Sequence, residues 1–306
     1  MVNPPLAKFA TTDDLCLALS KDLTGSLEPK VGDLTITSTT PDSLSLRASV
    51  NLTNPTPYSA RIPFISIHIL HNGTLLGEAR AENIDITTGN NTNLIVSATW
   101  NPSMTPDGGH KKKKHAKVAH KVARDLISQY ISGFNTSVTL RPHAGSIPAR
   151  PKIGAALSRL NVTVAAPKIH LPPSDGNNGD EDDSGHFIRD ATFHILSSTA
   201  TFTLVSPLTH NVIYIDSVNA TALYNHTEPL GRIEYFGAPF AAPPGRSTTP
   251  KLPVDWSLDS VGYEKMREAL GGRLRLDARA TVGVRVGEWT QEVWYVGRGI
   301  GASIRI

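Results

Sequence analysis

Apolar residues fall on alternate positions through much of the chain. In SLSLRASVNL (43–52) the inward phase is Leu44, Leu46, Ala48, Val50 and Leu52. In LRLDARATVGVRV (274–286) Leu274, Leu276, Ala278, Ala280, Val282, Val284 and Val286 alternate with Arg275, Asp277, Arg279 and Arg285. A period of two with one wet phase predicts half-buried antiparallel strands. Two stretches change to a helical period. HAKVAHKVARDLISQYISGF (115–134) gathers Val118, Val122, Leu126, Ile127, Tyr130 and Ile131 on one face and stops at Gly133. SVGYEKMREALGG (260–272) gathers Tyr263, Met266 and Leu270 between a Ser260 cap and Gly271-Gly272. Thr11 with Asp14 caps a shorter predicted helix through Leu15, Leu19 and Leu23. Asn72-Gly73 between FISIHIL and LLGE predicts a type I′ hairpin, because both residues tolerate positive φ.

The pattern repeats. Residues 43–79 lie over 199–235: each copy has an alternating strand, a polar or Pro-containing break, a second strand and a turn with Asn before Leu-Gly. Leu76-Gly77 matches Leu230-Gly231, and Trp100 in VSATW matches Trp256 in LPVDW. The expected fold is all-β: two tandem antiparallel β-sandwiches, each with one helix. The expected boundaries are a segment 1–28 with a short helix, a first module 29–142, a linker 143–156 and a second module 157–306 with an acidic loop at 173–186.

Composition narrows the class. The 306 residues suffice for two cores, and a net charge of +3 with 19% charged residues fits neither a basic tail nor a charged disordered chain. Twenty-two prolines and twenty-four glycines supply turns. The single cysteine, Cys16, excludes an intrachain disulfide framework and a Cys-based zinc finger. No signal-peptide core and no run of ~18–20 apolar residues occurs, yet N-x-S/T acceptors occur at Asn51, Asn72, Asn90, Asn135, Asn161, Asn219 and Asn225. With sixteen Asn and fifty-four Ser plus Thr, chance gives about three such triplets, so seven point to a glycosylated setting. Asn51, Asn161 and Asn219 fall on the wet phase of their strands, and Asn72 and Asn225 at hairpin tips.

Candidate chemistry is sparse. Lys111, Lys112, Lys113 and Lys114, with Lys117, Lys121 and Arg124, form the dense basic cluster. Anionic lipid would attract such lysines at about 1 kcal/mol per charge, but no aromatic residues interleave for base stacking, so nucleic acid is not an expected partner. A solvated loop is the simpler reading. Asp180, Glu181, Asp182 and Asp183 lack the spacing of an EF-hand, and His110, His115 and His120 stand five apart, which does not stack on one helical face. Nucleophile-elbow and P-loop motifs are missing, and 297–301, GRGIG, reads as a strand with close backbone contacts. Trp289 and Trp294 read as core or sheet-face residues. No catalytic residue, metal or cofactor is expected, and the chain reads as no enzyme.

FIRDATFHILSSTATFTLVSPL (187–208), NATALYNHTEPLGRIEY (219–235), APPGRSTTPKLPVDWSLDSVGYEKMREALGG (242–272) and the closing VWYVGRGIGASIRI resemble the C-terminal region of a fungal family of vacuolar-membrane proteins. Its best-studied member is the yeast protein named for terminating autophagy. NLTNPTPYSARIPFISIHILHNGTLLGE and ARDLISQYISGFNTSVTLR resemble the adjacent module, and more loosely the group 2 late embryogenesis abundant domain. The resemblance runs from about residue 28 to the end. It implies a cytosolic N-terminus and a membrane span upstream, an anchor this chain lacks. It also implies tandem sandwiches in the vacuolar lumen, a role in ending autophagy, and lipid held or moved by the sandwiches. Three readings follow: a lumenal, non-enzymatic module that binds lipid between its sheets; a scaffold with solid cores that binds proteins through sandwich-end loops; and a nuclear RNA-associated protein using Lys111–Lys114. The last reflects the name pre-rRNA processing protein carried by some members. A complete chain without an anchor would be cytoplasmic or nuclear.

Overall fold

The computed structural model describes residues 30–54, 57, 59–106, 109–110, 112–166, 186–256 and 274–305. The expected helices at 11–23 and 260–272, Lys111, Cys16 and the acidic run 180–183 lie outside the described residues.

The first half forms β1 (Lys30–Thr40), β2 (Ser43–Asn54), β3 (Ala60–His71), β4 (Thr74–Ile86), β5 (Gly89–Trp100), helix α1 (Lys113–Ile131), β6 (Ser137–Pro142), helix α2 (Pro151–Leu157) and β7 (Val162–Ala165). The second forms β8 (Ile188–His194), β9 (Thr199–Ser206), β10 (Ile213–Tyr224), β11 (Glu228–Tyr235), β12 (Phe240–Ala242), β13 (Gly245–Thr248), β14 (Leu252–Pro253), β15 (Asp255–Trp256), β16 (Leu274–Val286) and β17 (Trp289–Arg305). The fold is all-β, as the alternation predicts. Asn72 and Gly73 have φ of 48° and 73° in the β3–β4 hairpin. Gly133, at φ 77°, ends α1 by turning the chain left-handed, with the Phe134 N–H returned to the Gln129 carbonyl at 3.0 Å.

The first sheet runs β1-β2-β5-β4-β3-β6-β7. In the second, β8 pairs β9, and β9 pairs β14; the next strand in the same segment, β15, pairs β11, which continues to β10, β16 and β17. The two halves therefore share one strand order once β14 and β15 together take the place of β5. The matched residues occupy matched positions: Gly77 faces Trp100 across β4–β5, and Gly231 faces Trp256 across β11–β15. A Cβ on Gly77 would collide with the Thr99 carbonyl, and one on Gly231 would lie 2.9 Å from Val254 Cγ1. In both halves glycine allows the crossing strand to approach.

The halves differ in closure. β17 pairs in parallel with β8, Gly301 to Arg305 against Asp190 to His194, and closes the second module into a barrel. This pair departs from the antiparallel expectation. Phe193, Leu230, Ile233, Leu252 and Leu276 pack inside. The corresponding strand of the first half, β7, has four residues and, among the described residues, pairs only β6. The boundary also falls elsewhere than expected. Residues 143–156, read as a linker, contain most of α2, and residues 162–165, assigned to the second module, extend the first sheet. Their alternating Val162 and Val164 find an apolar partner row on β6, which composition alone does not reveal.

The modules are locked along their strand edges. Beyond the reach of β8, the outer edge of β17 would leave backbone N–H groups unpaired, a strong penalty if buried. Helix α1 covers it: Trp294 N–H donates to Ser128 Oγ and Val296 N–H to Ser132 Oγ, each at 2.9 Å. Serines four apart on a helix are spaced by ~6 Å and N–H groups two apart on a strand by ~6.8 Å, so the two elements match in register. Trp294 Nε1–H adds a bond to Asp125 Oδ1 at 3.0 Å. On the outer edge of β1, which has no partner strand among the described residues, the Asn211 side chain acts as a missing strand, accepting from Ile36 N–H and donating to Ile36 O at 3.0 Å each. Ile36 and Leu44 pack there on Val286 and Trp289.

The expected apolar face of α1 is shifted as a result. Val118 is 54% exposed, while Ala119, Ala123 and Leu126 are buried with Ser128. Small residues let the helix lie close to Leu76 and to the strand edge. Replacing both Ser128 and Ser132 with Ala should cost ~1–3 kcal/mol for each N–H left without a partner. Urea unfolding should then separate into two transitions; a single unshifted transition would refute the lock.

Candidate functional site

Two features of the first module stand out. The first is its sheet face. Reading the register from β1 to β6, Ile36, Leu46, Ala98, Ala79, Ile67 and Pro142 stand in one row. Leu34, Ala48 and Val96 form the next, and Val31, Val50 and Leu94 the last. Arg47, Ser97 and Arg80 point to the opposite face and are exposed. The top of the apolar face is sealed by α1 and the second module, where Trp100, Leu46 and Ile127 join the seam around Trp289. Lower down, Leu34, Ala48, Val50, Leu52, Leu94 and Val96 are only half-buried. Among the described residues nothing packs there as a second layer.

The barrel interior contrasts with this face. It holds an apolar cavity of about 80 Å³ bordered by Phe193, Phe202, Ile215, Val218, Ile233 and Trp256. That is about half the ~150 Å³ of an engineered cavity that admits benzene. Among the described residues the barrel is a packed core with a small apolar void.

The second feature is a polar cluster on the other face of β3 and β4, which sequence spacing does not reveal because its members are remote in the chain. Ser66 O–H donates to Glu78 Oε1, and Arg80 Nη2 donates to Glu78 Oε2 at 2.8 Å. Ser66 Oγ lies 3.3 Å from His143 Nε2, and the His143 ring stacks on His68 with centroids 4.3 Å apart. Ser66 is 4% exposed and His68 9%. Ser146 fixes the connector after β6, its Oγ accepting from His143 N–H at 2.6 Å and its carbonyl from Ser66 N–H at 2.9 Å. Burial, reinforced by His143, lowers the pKa of His68. Burial alone would raise Glu78, but the bonds from Arg80 and Ser66 outweigh it and hold the carboxyl below its ordinary range.

Serine, histidine and glutamate together invite comparison with a hydrolytic triad, and the bond directions oppose it. His143 Nδ1 accepts from Gly145 N–H at 3.2 Å, so the neutral ring carries its proton on Nε2 and donates to Ser66. A general base must instead accept from the serine, with the acid on Nδ1–H. Here the acid takes the serine proton directly, and the hydroxyl is neither free nor activated.

The structure places the seven acceptor asparagines outward: Asn51, Asn72, Asn90, Asn135, Asn161, Asn219 and Asn225 are all exposed. The buried Asn54 and Asn91 are not acceptors; Asn54 precedes Pro55, and Asn91 Oδ1 instead holds the Thr87 N–H at 2.8 Å. Lys112, Lys113, Lys114, Lys117 and Lys121 are exposed, with Lys114, Lys117 and Lys121 along one side of α1. His120 bonds Ser103 Oγ at 2.8 Å, and His110 and His115 are exposed. No helix among the described residues is long and apolar enough to cross a membrane.

Comparison with protein families agrees with this duplicated architecture. Residues 27–155 match the Tag1-like fourth LEA-2 like domain, and residues 180–294 the Tag1-like fifth LEA-2 like domain. The chain is a tandem of LEA-2-like domains. None of the curated proteins compared with it matches. LEA-2-like domains are in general non-enzymatic. A fluorophosphonate probe, which captures activated serines, should therefore leave Ser66 unlabelled in the folded protein. Stoichiometric labelling at Ser66, mapped by mass spectrometry, would reverse the assignment of the bond directions.

Proposed function

We propose that this tandem is a non-enzymatic, lumenal module of a vacuolar membrane protein that acts in autophagy regulation by holding the apolar part of a lipid on the open face of its first sheet. One observation carries the ligand reading: a row-by-row apolar face, half-buried and without a second layer among the described residues, beside a second module whose equivalent interior is closed. Burying an exposed Val or Leu side chain is worth ~1.5–3 kcal/mol, so a face bearing six half-buried apolar residues offers an acyl chain useful affinity. The packed barrel favours the scaffold reading for the second module, as a rigid support fixed to the first by the seam.

The compartment reading rests on the acceptors. All seven are exposed, and those on strands stand on the side opposite the apolar phase, so glycans there would leave the open face accessible. The vacuolar and autophagy readings, with the upstream anchor they entail, rest on the family resemblance of the sequence, and the Tag1-like descriptions of both matched domains are in keeping with it. Lysines without interleaved aromatics on α1 give the RNA reading no stacking surface.

Purified protein should bind a fluorescent fatty acid, and Val96→Asp should weaken binding at least tenfold while the circular dichroism spectrum is retained. Absence of binding by the unmodified protein, together with no co-purifying lipid in native mass spectrometry, would refute the ligand reading. In the native host, treatment with an endoglycosidase should raise the electrophoretic mobility. An unchanged band would remove the lumenal assignment.

A further inference from the structure

We propose that the stacked His68–His143 pair is an acid-released clasp: protonation in mildly acidic solution detaches the 143–147 connector from β3 and loosens β3 and β6, the far end of the sheet that carries the open face. Any effect on ligand rests on the reading of that face; the release itself does not.

The clasp is assembled from four directions. β3 contributes Ser66 and His68, β4 contributes Glu78 and Arg80, β6 contributes Arg141, and the connector contributes His143, Gly145 and Ser146. The segment before α1 adds the Pro106 carbonyl, which accepts from the His68 ring. The Gly145 N–H on Nδ1 holds the His143 ring as its Nε2–H tautomer over His68, with ring centroids 4.3 Å apart. A proton taken up by His68 sets a charge in a buried position against that ring and near Arg141. Glu78 attracts the charge, but Arg80 and Ser66 already occupy its two oxygens, and burial with His143 outweighs it.

The pH direction follows from linkage. His68 has a folded pKa below its ordinary value of about 6.5, so the released form takes up the proton more readily. Clasp stability is fully present above about 6.5 and is lost as the pH falls from there through the folded value. Glu78, depressed below its ordinary 4.5, stays ionised over that window and loses its own contribution only at lower pH.

Hydrogen exchange on the full chain at pH 7.4 and 5.0, corrected for intrinsic rates, tests this. Peptides bearing the Ser66 and Ser146 amides should lose protection as the pH falls from about 6.5 toward the folded value of His68, at up to about tenfold per pH unit within that window, as uptake of one proton requires, while peptides from α1 and β17 keep theirs. Protection independent of pH, or lost equally across the chain, would overturn the clasp. His143→Gln, whose amide still donates toward Ser66, should flatten the dependence. If that variant does not fold, imidazole ¹⁵N spectra of the unmodified protein serve instead: an Nδ1–H tautomer at neutral pH overturns the proposal, and an Nε2–H tautomer supports it. Fatty-acid binding at both pH values separates the two ideas. Release without binding at either pH defeats the open-face reading alone, whereas binding with unchanged protection defeats the clasp alone.

Discussion

A β-strand without a neighbour exposes a row of backbone donors and acceptors, and the disposition of those rows governs this molecule. The second module resolves the problem by closure, its last strand lying beside its first. Where that pairing runs out, two serines of the preceding module complete the row. The first module leaves a strand edge at β1, which the Asn211 amide meets from the other side. Each module thus supplies polar side chains to the backbone of the other, and apolar packing around Trp289 fills the space between. The relative placement of the modules follows from backbone satisfaction as much as from greasy contact.

One strand order serves both halves, yet they differ in what they expose. In the barrel, β17 is seventeen residues long and its last five pair with β8, and the interior shrinks to a small void. In the first half four residues of β7 occupy the equivalent position, and among the described residues the sheet stays open and its lower apolar rows remain half-buried. The same glycine–tryptophan crossing is retained in each, which shows that closure is decided at the strand ends and not at the centre. The open face and the closed core are two outcomes of one architecture.

Much of this was legible in the chain. Alternation identified β2 and β16, Asn-Gly the β3–β4 turn, Gly133 the end of α1, and Leu-Gly with Trp the duplication. Local rules succeed there because the determining contacts are neighbours in sequence or repeat at a fixed offset. The seam was not legible. Ser128 and Ser132 look like interruptions of an apolar stripe, and only the strand edge 166 residues from Ser128 gives them a role. That long-range demand also explains why Val118 faces solvent and Ala119 does not. The Ser66, His68, Glu78 and His143 cluster escaped for the same reason: residues on two strands and a connector carry no common spacing. The open face was half legible, since the inward phase was visible and its lack of a covering layer among the described residues was not.

The parallel pairing of β17 with β8 has a consequence for synthesis. Strand β8 is made early in the second half, but its partner is completed only after about a hundred further residues have emerged, a separation that slows closure. Until then the barrel has an unfinished wall and the serines of α1 have no strand to grip. The first module can form its own sheet on the ribosome, whereas the joint between modules must await the final stretch of translation.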